Sequence, residues 1–145
     1  MSHFTPEEIE YLASQRLGRL ATANARGALH VVPVGFLYNP ALDTVDIGGV
    51  RPGFGASRKF RDARRTGQVA FVVDDVYVRD GQDAPSGPRR EIRGIEIRGR
   101  AEAHETGGEA LRPGFEPQFI RIYPSHIVSW GINSTGYQPD SRRVG

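Results

Sequence analysis

The residues best suited to hold a ligand lie in one short basic segment, residues 55–67. It contains Lys59, the only lysine of the chain, and residues 51–67 carry six basic side chains against one acidic one. The formal net charge of the whole chain is only +2, so the positive charge is concentrated here. Such a local concentration of positive charge indicates an anionic partner.

The spacing of this segment predicts a short amphipathic helix. Its core-facing residues are Ala56, Phe60 and Ala63. Its outward residues are Arg58, Arg61 and Arg65. Asp62 is spaced to pair with the first and the last of these arginines. At this point a second interpretation stays open, in which the charges of the helix simply face water.

The start of the helix has the donors that a phosphate group requires. Ser57 supplies a hydroxyl, and the backbone at Gly55 and Ala56 supplies amides at a helix N-terminus, where the helix dipole favours an anion. Arg58 adds a planar fork of donors and Lys59 adds a point charge. The sequence therefore predicts an anion site at Ser57–Lys59.

Little else in the chain is chemically reactive. It has no cysteine, and its four histidines lack the spacing of a metal site. Neither a nucleophile elbow nor a glycine-rich nucleotide loop of the GxGxxG or Walker type occurs. A binding surface with few reactive side chains favours an enzyme whose chemistry is carried by a cofactor.

The apolar runs predict a mainly β protein, a six- to seven-stranded antiparallel barrel with short helices at the N-terminus and around residues 55–66. Thr5 and Glu8 have the spacing of a capping box, so the first helix begins there. Pro33 cannot donate to a strand ladder, so its strand lies at an edge or contains a bulge. Residues 119–123 and 127–130 predict a last pair of strands joined through residues 124–126.

The chain is expected to form one domain over residues 1–132, followed by a polar tail, 133–145, without stable structure. Residues 79–91 are rich in glycine and proline and predict a mobile loop. No secretory signal or membrane-length apolar run occurs, so a cytoplasmic protein without a membrane partner is expected. Nucleic-acid binding is disfavoured because the chain outside residues 51–67 is net negative and Phe60 faces the core.

Four short motifs, taken together in their order along the chain, indicate a resemblance to a known family. They are residues 20–24 (Leu-Ala-Thr-Ala-Asn), 30–34 (His-Val-Val-Pro-Val), 46–49 (Asp-Ile-Gly-Gly) and 57–62 (Ser-Arg-Lys-Phe-Arg-Asp). The chain resembles the pyridoxamine 5'-phosphate oxidase-like split-barrel flavoproteins, and most of all their actinobacterial branch, which uses the deazaflavin coenzyme F420. The resemblance runs from Thr5 to Ile132.

The resemblance implies a homodimer with two cofactor sites at its interface. The cofactor ring would lie along residues 30–34, the paired glycines would let the backbone approach it, and the helix start would bind its phosphate. The residues implied to contact the cofactor are His30, Val31, Val32, Pro33, Val34, Gly48, Gly49, Ser57, Arg58, Lys59, Arg61, Arg64 and Trp130. An aromatic of the core or the dimer interface is an equal interpretation of Trp130. No catalytic residue and no metal ligand is implied.

The function implied is that of an F420H2-dependent reductase, which transfers hydride to a conjugated enone or imine-like small molecule, as in secondary metabolism. The extra arginines near Ser57–Lys59 favour F420, whose oligoglutamate tail is negatively charged, over FMN. The alternatives are an FMN-dependent oxidoreductase of the same fold and a non-catalytic flavin or deazaflavin carrier. The chain lacks the C-terminal Arg-x-His-like pair of true pyridoxamine phosphate oxidases, which argues against oxidation of vitamin B6.

Overall fold

Seven antiparallel strands dominate the computed structural model of the chain, which describes residues 1–50, 52–79, 89–133 and 138–145. The strands are β1 (Leu17–Ala23), β2 (Leu29–Asn39), β3 (Thr44–Gly48), β4 (Gln68–Arg79), β5 (Arg89–His104), β6 (Phe119–Trp130) and β7 (Asp140–Arg143). The helices are α1 (Pro6–Ser14), α2 (Arg58–Thr66) and α3 (Gly108–Leu111), with a 3₁₀ turn at Phe54–Ala56.

The strands follow the order β3-β2-β1-β4-β5-β6-β7, and β3 also pairs with β6. This last pairing closes six strands into a barrel and leaves β7 as an added strand beside β6. The interior is filled by large apolar side chains, among them Phe36, Phe71, Ile95 and Ile120, all nearly inaccessible to solvent. The predicted six- to seven-stranded antiparallel barrel is confirmed.

Strand β2 has a free edge along its first half. It pairs with β1 from Leu29 to Gly35, but with β3 only from Gly35 to Asn39. Residues 29–34 therefore have one strand neighbour in the described part of the chain. Pro33, opposite Arg19, lies in this half, at a sheet edge where a proline is tolerated. The predicted edge position is confirmed.

Helix α2 packs on β1 and β5 with Phe60 and Ala63 buried, as expected. The prediction for Ala56 was wrong: this residue is exposed, because it ends the 3₁₀ turn instead of belonging to the helix. Phe54 takes the buried position and contacts Phe60 edge to face, with ring centroids 6.0 Å apart.

Two predicted strand boundaries need correction. Residues 119–130 form a single strand, because Pro124 is accommodated opposite Gly99 by a shift of register at Arg98/Gly99. Strand β4 continues to Arg79 and β5 starts at Arg89, where these two residues pair, so the predicted loop 79–91 is shorter than expected. Its central part, residues 80–88, lies outside the described residues.

The expectation of an unstructured tail was wrong for residues 138–145. Strand β7 pairs with β6 from His126 to Ser129, and Val144 packs against the core. The strand is held there because Arg142 forms an ion pair with the buried carboxylate of Glu8 on α1. No helix in the described residues is long and apolar enough to cross a membrane.

Candidate functional site

A pocket of about 640 Å³ opens where β3 ends. Its wall combines the free half of β2, the start of β1, the chain after β3, α2 and the segment after α3. The lining residues are Arg16, Leu17, Pro33, Val34, Gly35, Gly48, Gly49, Val50, Pro52, Gly53, Phe54, Lys59, Arg112 and Phe115. Five residues predicted for the site meet here: Pro33, Val34, Gly48, Gly49 and Lys59.

The two glycines are required by the packing around them. A Cβ atom on Gly48 would lie 2.3 Å from the ring of Phe115, and one on Gly49 would lie 2.8 Å from the ring of Phe54. Both distances are shorter than van der Waals contact, so any other residue would displace an aromatic wall of the pocket. The glycines thus shape the pocket by admitting two aromatic rings close to the backbone.

Lys59 is a half-buried cation at this pocket. Its Nζ atom lies 4.9 Å from the centroid of the Phe54 ring. Among the described residues no carboxylate forms an ion pair with it, and burial lowers the pKa of its ammonium group. A partly desolvated charge without a protein partner is costly, and an anionic ligand would offset that cost.

Ser57 is the N-cap of α2, so the helix begins slightly later than predicted and Ser57 lies at its start. Its Oγ accepts a hydrogen bond from the amide of Phe60 at 3.4 Å and donates one to the carbonyl of Phe54 at 2.5 Å. The hydroxyl proton is therefore already used within the protein. The first intrahelical bond is donated by Arg61, so the amides of Arg58 and Lys59 precede the helical ladder.

Arg58, Arg61 and Arg64 are exposed and do not line the pocket. The Nε of Arg58 lies 3.6 Å from the buried carboxylate of Asp62, which also accepts a hydrogen bond from Thr22 at 3.2 Å. The expected Arg58–Asp62 pair is present, whereas no ion pair joins Asp62 to Arg65 in the described part of the chain.

Arg64 already has partners in this chain, and its predicted contact with the cofactor stays a prediction. Its guanidinium lies over the ring of Phe60, 4.9 Å from the centroid, and forms an ion pair with Glu105. Arg61 has no ion pair with any described residue and stays a candidate for a charged part of a ligand outside the pocket.

The other predicted residues lie on β2 and β6. His30 and Val32 are half-buried, and the Val31 side chain is 65% exposed on the outer face of β2. Trp130 is paired with Gly94, where a Cβ atom would lie 2.4 Å from the indole ring. None of these four lines the pocket within a single chain.

Nine of the fourteen lining residues were not predicted, among them Arg16, Phe54, Arg112 and Phe115. Phe115 is buried against Gly48, and the segment is joined to β3 by a hydrogen bond from the amide of Glu116 to the carbonyl of Gly49, 2.7 Å long. Arg112 and Phe115 had a weak sequence signal, because residues 105–115 contain three glycines and a proline and show no periodic apolar pattern.

The pocket is electropositive. Its described lining has three cations, Arg16, Lys59 and Arg112, and no acidic residue. A second cavity of about 790 Å³ lies on the outer face over β1, β4 and β5, but none of the predicted site residues lines it. The smaller pocket is therefore the one suited to a ligand that is flat, largely apolar and negatively charged.

A closed antiparallel barrel with an electropositive pocket at a free strand edge defines a ligand-binding split barrel. The family model of pyridoxamine 5'-phosphate oxidase matches residues 4–143. The chain belongs to this family. The expectation of an oxidoreductase of the family is thereby confirmed.

Known proteins agree with this membership. The chain is 44% identical to a 5a,11a-dehydrotetracycline/5a,11a-dehydrooxytetracycline reductase of Streptomyces rimosus, over 92% of this chain and 89% of that protein. Among solved structures, it is similar to a conserved hypothetical protein of Mycobacterium tuberculosis (22% identity, TM-score 0.60, 88% and 84% covered). It is also similar to an FAD-binding protein of Mycobacterium smegmatis (19% identity, TM-score 0.58, 99% and 100% covered). These two structures support the fold.

Proposed function

We propose that this protein is a reductase that uses a flavin-type cofactor, F420 in its reduced form, to transfer hydride to a conjugated small molecule of the enone or imine type. The observation that carries the proposal is the half-buried Lys59, a cation without an anionic partner in the described chain, at the edge of a pocket shaped by two glycines. The 44% identical relative, a reductase of secondary metabolism, supports the reaction type.

The residues present fit such a cofactor. Lys59 and the first amides of α2 would hold its phosphate group, since a helix N-terminus and an ammonium group together bind phosphate well. Pro33 and Val34 on the free half of β2 would meet its flat ring. When bound in its reduced form, the cofactor would supply the hydride, so that it gives up two electrons to the substrate and is itself oxidised.

The chain itself contributes binding, orientation and exclusion of water. The described lining of the pocket contains no histidine, carboxylate or hydroxyl side chain. Rate acceleration then rests on holding the two reactants in contact within an apolar wall built from Val34, Phe54 and Phe115.

FMN is the second candidate cofactor, since it has the same ring shape and also carries a phosphate. Arg61 has no ion-pair partner among the described residues and adds positive charge on α2, which favours the more negatively charged F420. Calorimetric titration of the purified protein with F420 and with FMN distinguishes them. Tighter binding of FMN would identify FMN as the cofactor. If neither compound bound at micromolar concentration, the proposed function would be contradicted.

Lys59→Gln tests the placement of the phosphate. Loss of a hydrogen bond to a charged group costs about 1.5–3 kcal/mol, so cofactor binding is expected to weaken about 10- to 100-fold. Arg143→Gln is the matched control, because Arg143 is exposed on β7 and away from the pocket lining. Oxidation of F420H2 in the presence of a panel of conjugated ketones separates a reductase from a carrier, which would bind the cofactor without turnover.

A homodimer is part of the proposal. Six apolar side chains, each more than half exposed, lie on strands β1, β2, β4 and β5. They are Leu17, Leu29, Val31, Val76, Val78 and Ile92. A monomer seldom exposes so many large apolar residues on one sheet, and a second copy would cover them and complete the cofactor sites.

Sedimentation analysis tests this assembly. Leu29→Glu places a charge on a side chain that is 83% exposed and is expected to give a monomer with weaker cofactor binding. Leu42→Glu, in the turn between β2 and β3, is the control and should stay dimeric. A monomeric unmodified protein at micromolar concentration would contradict the dimer. The cytoplasmic location stays a prediction.

A further inference from the structure

Arg112 is a cation of the pocket that the proposed cofactor contacts leave without a role. Its guanidinium lies 5.3 Å from the centroid of the Phe115 ring, and its Nη2 donates a hydrogen bond to the carbonyl of Phe36 at 3.2 Å. No carboxylate of the described residues forms an ion pair with it. Its other donors are therefore available to a ligand in the pocket.

The segment that carries Arg112 is fixed in place. The amide of Phe115 donates to the carbonyl of Arg112 at 3.1 Å, which closes a tight turn, and the ring of Phe115 is buried against Gly48. The amide of Glu116 donates to the carbonyl of Gly49. These contacts attach the turn to the end of β3, so that the backbone of Arg112 has a defined position at the pocket.

Arg112 and Lys59 belong to two different walls of the pocket. The ammonium group of Lys59 lies over the ring of Phe54, and that ring packs on Gly49. The guanidinium group of Arg112 lies over the ring of Phe115, and that ring packs on Gly48. Side chains of successive residues in an extended chain point to opposite sides. The two cation–ring pairs thus lie on opposite sides of the backbone at the glycines. A single phosphate group bound by Lys59 therefore does not explain the presence of a second cation, Arg112, in the pocket.

The chemistry of Arg112 indicates what it recognises. A guanidinium group is planar and always charged, and its donors form a fork that matches two oxygens of one delocalised anion. Phe115 beneath it offers a flat apolar face. We infer that Arg112 binds the substrate through a planar delocalised oxyanion, and for the conjugated enone-type substrate proposed above this oxyanion is an enolised 1,3-dicarbonyl group. This inference rests on the proposed function, since it places the substrate in the cofactor pocket.

The test uses the full chain and two probes of the same shape. One is 2-acetyl-1,3-indandione, a planar triketone that is an enolate at neutral pH, and the other is its neutral methyl enol ether. Calorimetry measures both dissociation constants with and without saturating cofactor. The unmodified protein is expected to bind the enolate about 10- to 100-fold more tightly than the ether, as a charge-assisted hydrogen-bond pair requires.

Arg112→Met should abolish this preference and weaken cofactor binding far less than Lys59→Gln does, since it removes a charge from the pocket but no direct contact with the cofactor. Arg112→Lys, which keeps the charge but loses the fork, should retain part of it, and Arg143→Met should retain it fully. Equal affinity of the unmodified protein for both probes would overturn the inference. So would a loss of cofactor affinity in Arg112→Met as large as that in Lys59→Gln, since Arg112 would then contact the cofactor. Failure of the unmodified protein to bind any cofactor contradicts only the proposed function, because the probes are also titrated alone.

Discussion

The carboxylate of Glu8 is fully buried beside the guanidinium of Arg142, although 133 residues separate them in the chain. Glu8 also accepts hydrogen bonds from the hydroxyl of Ser129 at 2.7 Å and the side-chain amide of Asn133 at 3.0 Å. The pair joins α1 to β7, the first and last elements of the fold. A buried charge with this many donors is satisfied, but it depends strongly on each partner.

Arg142→Met is expected to destabilise the protein by about 3 kcal/mol, because it leaves the buried carboxylate without its cation. Urea unfolding followed by circular dichroism measures the change. Arg143→Met, one residue further along β7 and exposed, should change stability by less than about 0.5 kcal/mol. Equal effects of the two variants would show that the ion pair contributes nothing specific.

The same pair predicts how stability depends on pH. Burial raises the pKa of Glu8, but hydrogen bonds from Arg142, Ser129 and Thr5 outweigh it, so the pKa lies below its ordinary value of 4.5. The carboxylate then contributes stability that is present above pH 4.5 and is lost as the pH falls through the lower folded-state pKa. Unfolding curves at several pH values check this. The difference between the protein and Glu8→Gln should shrink in acid, and a difference independent of pH would contradict the prediction.

Gly48→Ala is expected to destabilise the protein by about 1–3 kcal/mol, because its Cβ atom would overlap the ring of Phe115. Its ladder partner provides the control. In Gly35→Ala the nearest atom to the new Cβ is the carbonyl oxygen of Gly48, 3.8 Å away, so the stability should barely change. Thermal unfolding compares the two variants, and a tolerated Gly48→Ala would show that Phe115 is not held against β3.

Ser57→Ala is expected to cost about 1 kcal/mol of stability, because α2 loses its N-cap. Since the hydroxyl proton is donated to the carbonyl of Phe54, the same change should weaken cofactor binding less than Lys59→Gln does. Ser57→Thr should restore the stability. A loss of cofactor affinity as large as that of Lys59→Gln would instead identify Ser57 as a direct phosphate ligand.

The part of the site that is local in sequence could be predicted. The place of Ser57 at a helix start, the burial of Phe60 and Ala63 and the glycines at the end of β3 all follow from patterns within a few residues. Arg112 and Phe115 could not be predicted in the same way. Their place in the pocket depends on the packing of a turn against Gly48, more than sixty residues earlier, and no periodic pattern encodes that contact.

The errors in the predicted fold have the same origin. The composition of residues 138–145 is typical of a tail, yet Arg142 has a buried partner in α1 that is distant in sequence. Pro124 suggests a break between two strands, but the bulge opposite Gly99 allows β6 to continue. In both places a tertiary contact outweighs the local preference of the chain.

Lys59 also gives the protein a single side chain for selective chemical labelling. It carries the only side-chain amine in the sequence, and burial lowers its pKa, which increases the neutral, nucleophilic fraction at a given pH. An amine-reactive dye can therefore be attached at the wall of the pocket of the natural chain, with only the N-terminal amine as a competing position. The chain thus needs no engineered cysteine to report by fluorescence on what enters that pocket.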